Sequence, residues 1–272
     1  MEHILIISNN NLLPRLKGKS IVMETDNFEN ITQIKNDILI NNNLFCIIIH
    51  STQDIASIEF KEEWENIPIV VYASELGKVR DLINKLPLIE KLNIKFFLRP
   101  EIEQNYSAIQ ILSSLGIYSG IVINENADWE KLKDLMYYSL FGRIMHAPIE
   151  PFQYVYDLYV DNAMVDYSTV FFDNPNKFLH VDENGKMAFS KQDLQAQNFF
   201  LNDINELTDL EKNVVYKQKT KAWQSFFYEP TQCASCAAWR ICLGKFASLK
   251  EKSCQSFIEE WLDALRLIKT KK

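Results

Sequence analysis

Six short apolar runs, at 3–8, 20–24, 44–50, 68–73, 94–99 and 120–124, dominate the first half of this chain. They are rich in Ile, Val and Phe and mostly continuous rather than alternating. A strand with one wet face alternates apolar and polar residues; a strand covered on both faces need not. The runs therefore predict strands buried on both sides, as in a parallel sheet or barrel. Stretches with helical spacing separate them. Ile31, Ile34, Ile38 and Leu39 follow the potential cap Asn30, and Leu76, Val79, Leu82, Ile83 and Leu86 run up to Pro87. Ala108, Ile111, Leu112 and Leu115 stop at Gly116, and Trp129, Leu132, Leu135 and Met136 follow Asp128. This order predicts an α/β fold, a partial (β/α) barrel-like parallel sheet over residues 1–150.

The alternation fades after residue 145. Residues 145–151 read as a linker, and 151–272 as a second, smaller domain. An aromatic stretch at 152–159 opens it. A hairpin is predicted from Phe178-Leu179-His180-Val181 to Lys186-Met187-Ala188-Phe189, turning at Asp182-Glu183-Asn184-Gly185. A polar helix is predicted over 209–226. Phe257, Trp261, Leu262 and Leu265 form a helical stripe near the end.

Hydrophobic residues make up 47% of the 272, enough to build a substantial core. A net charge of -7 argues against nonspecific binding to nucleic-acid phosphate. The basic end, 267–272, reads as a solvated tail. With only 7 glycines, neither G-x-G-x-x-G nor G-x4-G-K-[ST] occurs, which argues against the usual nucleotide-binding enzymes. The apolar start, Ile4-Leu5-Ile6-Ile7, lacks a secretory signal's basic flank, and no run has the length of a membrane helix. The expectation is a soluble, cytoplasmic chain with neither nucleic acid nor membrane as partner.

Four of the five cysteines fall in one C-terminal stretch, Cys233, Cys236, Cys242 and Cys254, spaced C-x2-C-x5-C-x11-C. In a reducing compartment such a cluster points to ligation rather than disulfides. Four thiolates complete the first shell of an iron–sulfur cluster or of a zinc ion. Zinc ribbons favour two C-x2-C pairs; one pair followed by two singly spaced cysteines suits a [4Fe–4S] cluster at least as well. The neighbours Phe226, Phe227, Tyr228 and Trp239 are candidates for excluding water. Cys46, inside an apolar run, reads as a small buried hydrophobe.

The hairpin, the stretch Leu201-Asn202-Asp203-Ile204-Asn205-Glu206-Leu207 and the cysteine run together resemble the SPASM domain, the C-terminal part of many radical SAM peptide maturases. The resemblance spans 176–260 and implies auxiliary [4Fe–4S] clusters in a hairpin-and-loop frame. Ser190 and Phe246 stand where the family has cysteines for its first auxiliary cluster. The four cysteines present match the ligands of the second. The radical SAM motif C-x3-C-x2-C is missing: residues 8–15 read Ser8-Asn9-Asn10-Asn11-Leu12-Leu13-Pro14-Arg15. Glu24-Thr25-Asp26 replaces the Gly-Gly-Glu-like motif that contacts S-adenosylmethionine. The chain thus looks like a degenerate radical SAM/SPASM protein with one cluster and no S-adenosylmethionine chemistry.

The other candidates are sparse. His3, His50, His146 and His180 are scattered without ligand spacing. His50 ends a strand at what would be a barrel rim and reads as solvated, a catalytic role there being the lesser alternative. Glu59, Glu62, Glu63 and Glu65 read as a solvated face. The expected function is an accessory protein of ribosomal-peptide maturation, binding a precursor peptide or a radical SAM maturase. The alternatives are an enzyme using the cluster or the barrel rim, and a zinc protein with a structural metal.

Overall fold

A computed structural model describes residues 2–228, 232–246 and 253–270. The six apolar runs form β1 (Ile4–Ile7), β2 (Ser20–Thr25), β3 (Asn43–His50), β4 (Ile69–Ala73), β5 (Lys95–Leu98) and β6 (Ser119–Ile121). Each pairs in parallel with the next. The helices between them are α1 (Ile31–Leu39), α2 (Val79–Ile83), α3 (Leu86–Leu92) and α4 (Gln104–Ser114), with α5 (Trp129–Phe141) after β6.

Residue alternation along the strands sorts side chains onto two apolar faces. Leu5, Ile7, Ile21, Met23, Ile47, Ile49, Val71, Phe96 and Leu98 share one core with Ile34, Ile38, Leu82, Ile89, Leu112 and Leu135 of the five helices. Ile4, Ile6, Val22, Cys46, Ile48, Val70 and Phe97 form a second cluster on the opposite face. Continuous apolar runs are what two buried faces require. Cys46 sits there as anticipated, and burial raises its thiol pKa far above the ordinary value.

The stretch read as a linker contains β7 (Ile149–Glu150), which adds to β6 in parallel. Buried Glu150 accepts a hydrogen bond from the Tyr118 hydroxyl and one from the Tyr154 backbone N–H. The chain continues through α6 (Phe152–Leu158) and a 3-10 segment, Tyr167–Phe171. Phe171 and Phe172 pack against the second apolar cluster, so the chain returns across the face opposite the helices. It then forms β8 (Phe178–Val181), parallel to β1, and β9 (Met187–Ala188), antiparallel to β8. The sheet order is β7-β6-β5-β4-β3-β2-β1-β8-β9. The hairpin is therefore part of the main sheet, which runs across the boundary expected at residue 150. Its turn holds because Gly185 takes φ of 87° and Asp182 accepts from the N–H groups of Asn184 and Lys186.

Three expectations need correction. Residues 76–86 do not form one helix ending near Pro87: α2 stops at Ile83, and Pro87 lies in the first turn of α3, where its missing N–H costs nothing. The helix predicted over 209–226 is broken into a 3-10 segment Ile204–Lys212, α8 (Val214–Thr220) and a 3-10 segment Ala222–Phe227. Asn213 is extended and turns its side chain onto the Tyr216 N–H, capping α8 at the cost of continuity. His50 is not simply solvated, as its surroundings below show. Before α8 the chain makes α7 (Lys191–Gln195); after it come α9 (Gln232–Ser235), α10 (Trp239–Cys242) and α11 (Ser253–Thr270).

The stripe on α11 is buried as predicted, with Phe257, Trp261, Leu262 and Leu265 in the main core. Trp261 meets Phe152 edge-on at 5.1 Å, and Phe257 meets Trp129 of α5 at 5.7 Å. These contacts clamp the cysteine-bearing region onto the α/β layer. Glu59, Glu62, Glu63 and Glu65 are exposed. Lys271 and Lys272 of the basic tail lie outside the described residues. No helix among the described residues is long and apolar enough to cross a membrane.

Candidate metal centre and the adjoining cleft

Cys233 lies on α9, Cys236 just after it, Cys242 at the end of α10 and Cys254 in the first turn of α11. Two short helical pieces and the start of the long helix α11 thus bring four thiols to one place. All four line one hollow of about 20 Å³, closed by Phe246, Gln255 and Ile258. Their sulfurs already accept from the backbone: Cys236 from the N–H groups of Ala238 and Trp239, Cys242 from Gly244, and Cys254 from Gln255. Such N–H groups stabilise a thiolate and tune any cluster it holds. Burial nevertheless dominates and raises all four thiol pKa values, that of Cys242 to about 12. Without a cation these groups are neutral, and a bound metal must displace their protons.

The four cysteines share the lining of one hollow. Among the described residues no three His, Cys, Asp or Glu side chains are grouped closely enough to hold a metal ion. A tetrahedral zinc shell, with Zn–S of about 2.3 Å, would bring its sulfurs within about 3.8 Å of one another. By donor chemistry alone, four thiols suit either a zinc ion or a [4Fe–4S] cluster. The predicted shield is placed differently. Trp223 and Trp239 stack on each other, Phe227 meets both edge-on, and Tyr228 is exposed. Phe246 lines the thiol hollow.

Phe246 also lines a much larger cleft of about 940 Å³. This cleft lies over the C-terminal ends of the parallel strands, reached by Glu24 of β2, His50 of β3, Tyr72 of β4 and Arg99 after β5, together with His180 of β8. Ligands of parallel α/β sheets bind at that end. His50 stacks on Tyr72 at 5.3 Å, and Tyr72 on Phe97 at 5.3 Å, forming a ladder across neighbouring strands. The His50 Nε2 lies 3.1 Å from Glu24 Oε1 and 3.0 Å from Lys191 Nζ, which is 3.1 Å from Glu24 Oε2. One nitrogen cannot donate and accept at once. Protonated, it donates to Glu24; neutral with its proton on Nδ1, it accepts from Lys191. Burial opposes charge on Glu24, but His50, Lys191 and His180 together outweigh it and lower its pKa to about 2. Burial lowers His180 to about 4, so it faces the cleft as a neutral imidazole.

The remaining sequence candidates have local roles. His3 bonds the Tyr216 hydroxyl at 2.8 Å, and His146 stacks on Tyr138 beside Ser113. Ser190 caps α7 and lines the cleft. Sequence reasoning missed Lys191, Asp166 and Asp173. Their one visible signal was weak: Glu24 and His50 both end strands at the same side of the sheet. No protein-family model matches the chain, and no curated protein matches it.

Proposed function

We propose that this chain is a peptide-binding accessory protein that carries one [4Fe–4S] cluster on Cys233, Cys236, Cys242 and Cys254. The observation that carries this reading is the convergence of the four thiols on one apolar hollow, one phenyl ring away from the cleft. The strand order β1 to β7 without inversion, with helices on one face, supports a partial (β/α) barrel. The hairpin and cysteine run support a SPASM-like C-terminal part. A cluster held there supplies a buried one-electron centre or a covalent clamp on three chain segments. In the cleft, the aromatic ladder offers faces to side chains, and the charged rim offers partners to polar groups of a precursor peptide. A radical SAM maturase is the natural companion, since residues 8–15 contribute no thiolate for such chemistry here.

Anaerobic reconstitution tests the metal half. The expected product is brown, with iron and acid-labile sulfide in equal amounts, and Cys236→Ala removes both. A colourless protein holding a single zinc would establish the structural-zinc alternative instead. Reduced, reconstituted protein is expected to yield no 5′-deoxyadenosine from S-adenosylmethionine above a protein-free control.

A further inference from the structure

One buried polar side chain of the cleft is left without a bond. Along β8, side chains alternate between the two apolar faces: Leu179 and Val181 join the core beneath the helices, and Phe178 joins the opposite cluster. His180, two residues beyond Phe178, stands on that opposite face. Strand pairing puts it in one row with Ile6 of β1 and Val22 of β2, and β9 adds Ala188 on its other side. None of these neighbours carries a nitrogen or oxygen in its side chain. His180 is only 6% exposed, and among the described residues no hydrogen bond reaches its ring. Yet it lines the cleft. The other buried polar residue of that lining, Ser168, donates its hydroxyl to Asp166 at 2.6 Å. Tyr72, Arg99, Glu125 and Gln195 also present polar groups without a partner there, but each is partly or fully open to water. His180 is thus the group whose bonding depends on what enters the cleft.

The charges beside it are already matched. Glu24 lies two residues beyond Val22 on the same face of β2, and its oxygens take Lys191 at 3.2 and 3.1 Å and His50 at 3.1 Å. Asp193 of α7 accepts from the Ser190 hydroxyl at 2.8 Å and pairs with Lys219 at 3.6 Å. Carboxylates and ammonium groups cancel, so the space beside His180 favours neither a cation nor an anion. Burial also keeps the imidazole neutral, with one donor and one acceptor nitrogen. An uncharged group is what matches. A carboxamide brings two N–H donors and an acceptor oxygen, most of which this apolar row would strand. A hydroxyl donates or accepts, so it fits either ring nitrogen. The wall around it is aromatic: Phe171, Phe172 and Phe189 line the cleft, with Phe171 edge-on to Phe97 and Phe172 edge-on to Phe178, each at 5.3 Å. Such a wall receives an apolar stem.

We propose that His180 selects an uncharged hydroxyl carried on an apolar side chain, that of a threonine or a tyrosine in a bound peptide, with the stem against Phe171, Phe172 and Phe189. This rests on the cleft being the ligand site of the peptide-binding reading.

Matched probes that differ by one hydroxyl test it: acetyl-Ala-Thr-Ala-amide against its valine counterpart, acetyl-Ala-Tyr-Ala-amide against its phenylalanine counterpart, and p-cresol against toluene. Each is titrated into the full chain. In at least one peptide pair the hydroxyl member is expected to bind about tenfold more tightly. A gap in the threonine pair identifies an aliphatic hydroxyl; a gap in the tyrosine pair identifies a phenol. The gap closes in His180→Leu. Equal binding within both peptide pairs overturns the selection and leaves the peptide reading standing, as does a gap that persists in folded His180→Leu. A preference for p-cresol over toluene without binding of any peptide keeps the selection and removes the peptide reading. No binding by any probe removes both. Should His180→Leu fail to fold, the wild type labelled with 15N-histidine decides, its His180 signals assigned by elimination through variants of the other three histidines. The hydroxyl peptide must move the His180 ring nitrogens further than its counterpart does; equal movement overturns the selection.

Discussion

Glu24 and His180 reach the cleft from the two strands that flank β1, and both set an acid limit on the fold. The pKa of Glu24 is about 2 in the folded chain against an ordinary 4.5. Its contribution is complete above the ordinary value and is lost as pH falls from there through about 2. His180 has a pKa of about 4 against 6.5, so folding resists its protonation and stability declines as pH falls between those values. A shift of that size corresponds to about 3 kcal/mol. His180→Gln should flatten the pH dependence of the melting temperature in that window and leave the lower, Glu24-linked decline in place. A wild-type melting temperature constant from pH 6.5 to about 4 would contradict this. At the proposed metal centre the sign is the same for another reason: raised thiols hold their protons, so metal affinity should fall as pH falls, measured by competition with a chelator. Cysteine was legible in the sequence because its chemistry restricts its use. His180 and Lys191 were not, because their meaning comes from chain segments more than a hundred residues from the strands they face.

Helices were legible where an apolar stripe and a cap agreed. Asp128 caps α5 onto the Lys131 N–H, and Gly116 takes φ of 80° just past α4. They were misread at Asn213 and Pro87, where one residue's local bonding preference divides an otherwise continuous pattern. The contact of α11 with α5 and α6 holds the cysteine pieces in place. Trp261→Ala, which empties a fully buried indole site, should cost about 3–5 kcal/mol. If the proposed cluster is held there, the change should also lower its occupancy without touching a thiol, measurable as iron per reconstituted chain beside the denaturation midpoint. Gly244 is a second such point. It takes φ of 73°, and an added Cβ there would run into the Phe226 ring. Gly244→Ala should therefore destabilise by about 1–2 kcal/mol or more and displace Phe226 from the cleft wall, visible as a change in ligand affinity with the four cysteines intact.

At the scale of the molecule, the parallel sheet of β1 to β6 followed from the apolar runs and the helices between them, while their sequential order is added by the structure. The place of β8 did not follow from them. Nothing local in Phe178–Val181 states that it will pair in parallel with Ile4–Ile6. That pairing has a consequence for the order in which the chain is made. β1 leaves the ribosome well before β8, and among the described residues the edge of β1 away from β2 pairs only with β8, which begins at residue 178. Between the emergence of β1 and that of β8 the nascent chain carries a bare parallel edge at Ile4–Ile7, the kind of surface that templates aggregation and attracts chaperones. Nascent chains halted before the hairpin should be trapped by a holdase or cleaved by added protease. Those halted well past residue 190 should become protected, an arrest series that dates the closing of the sheet.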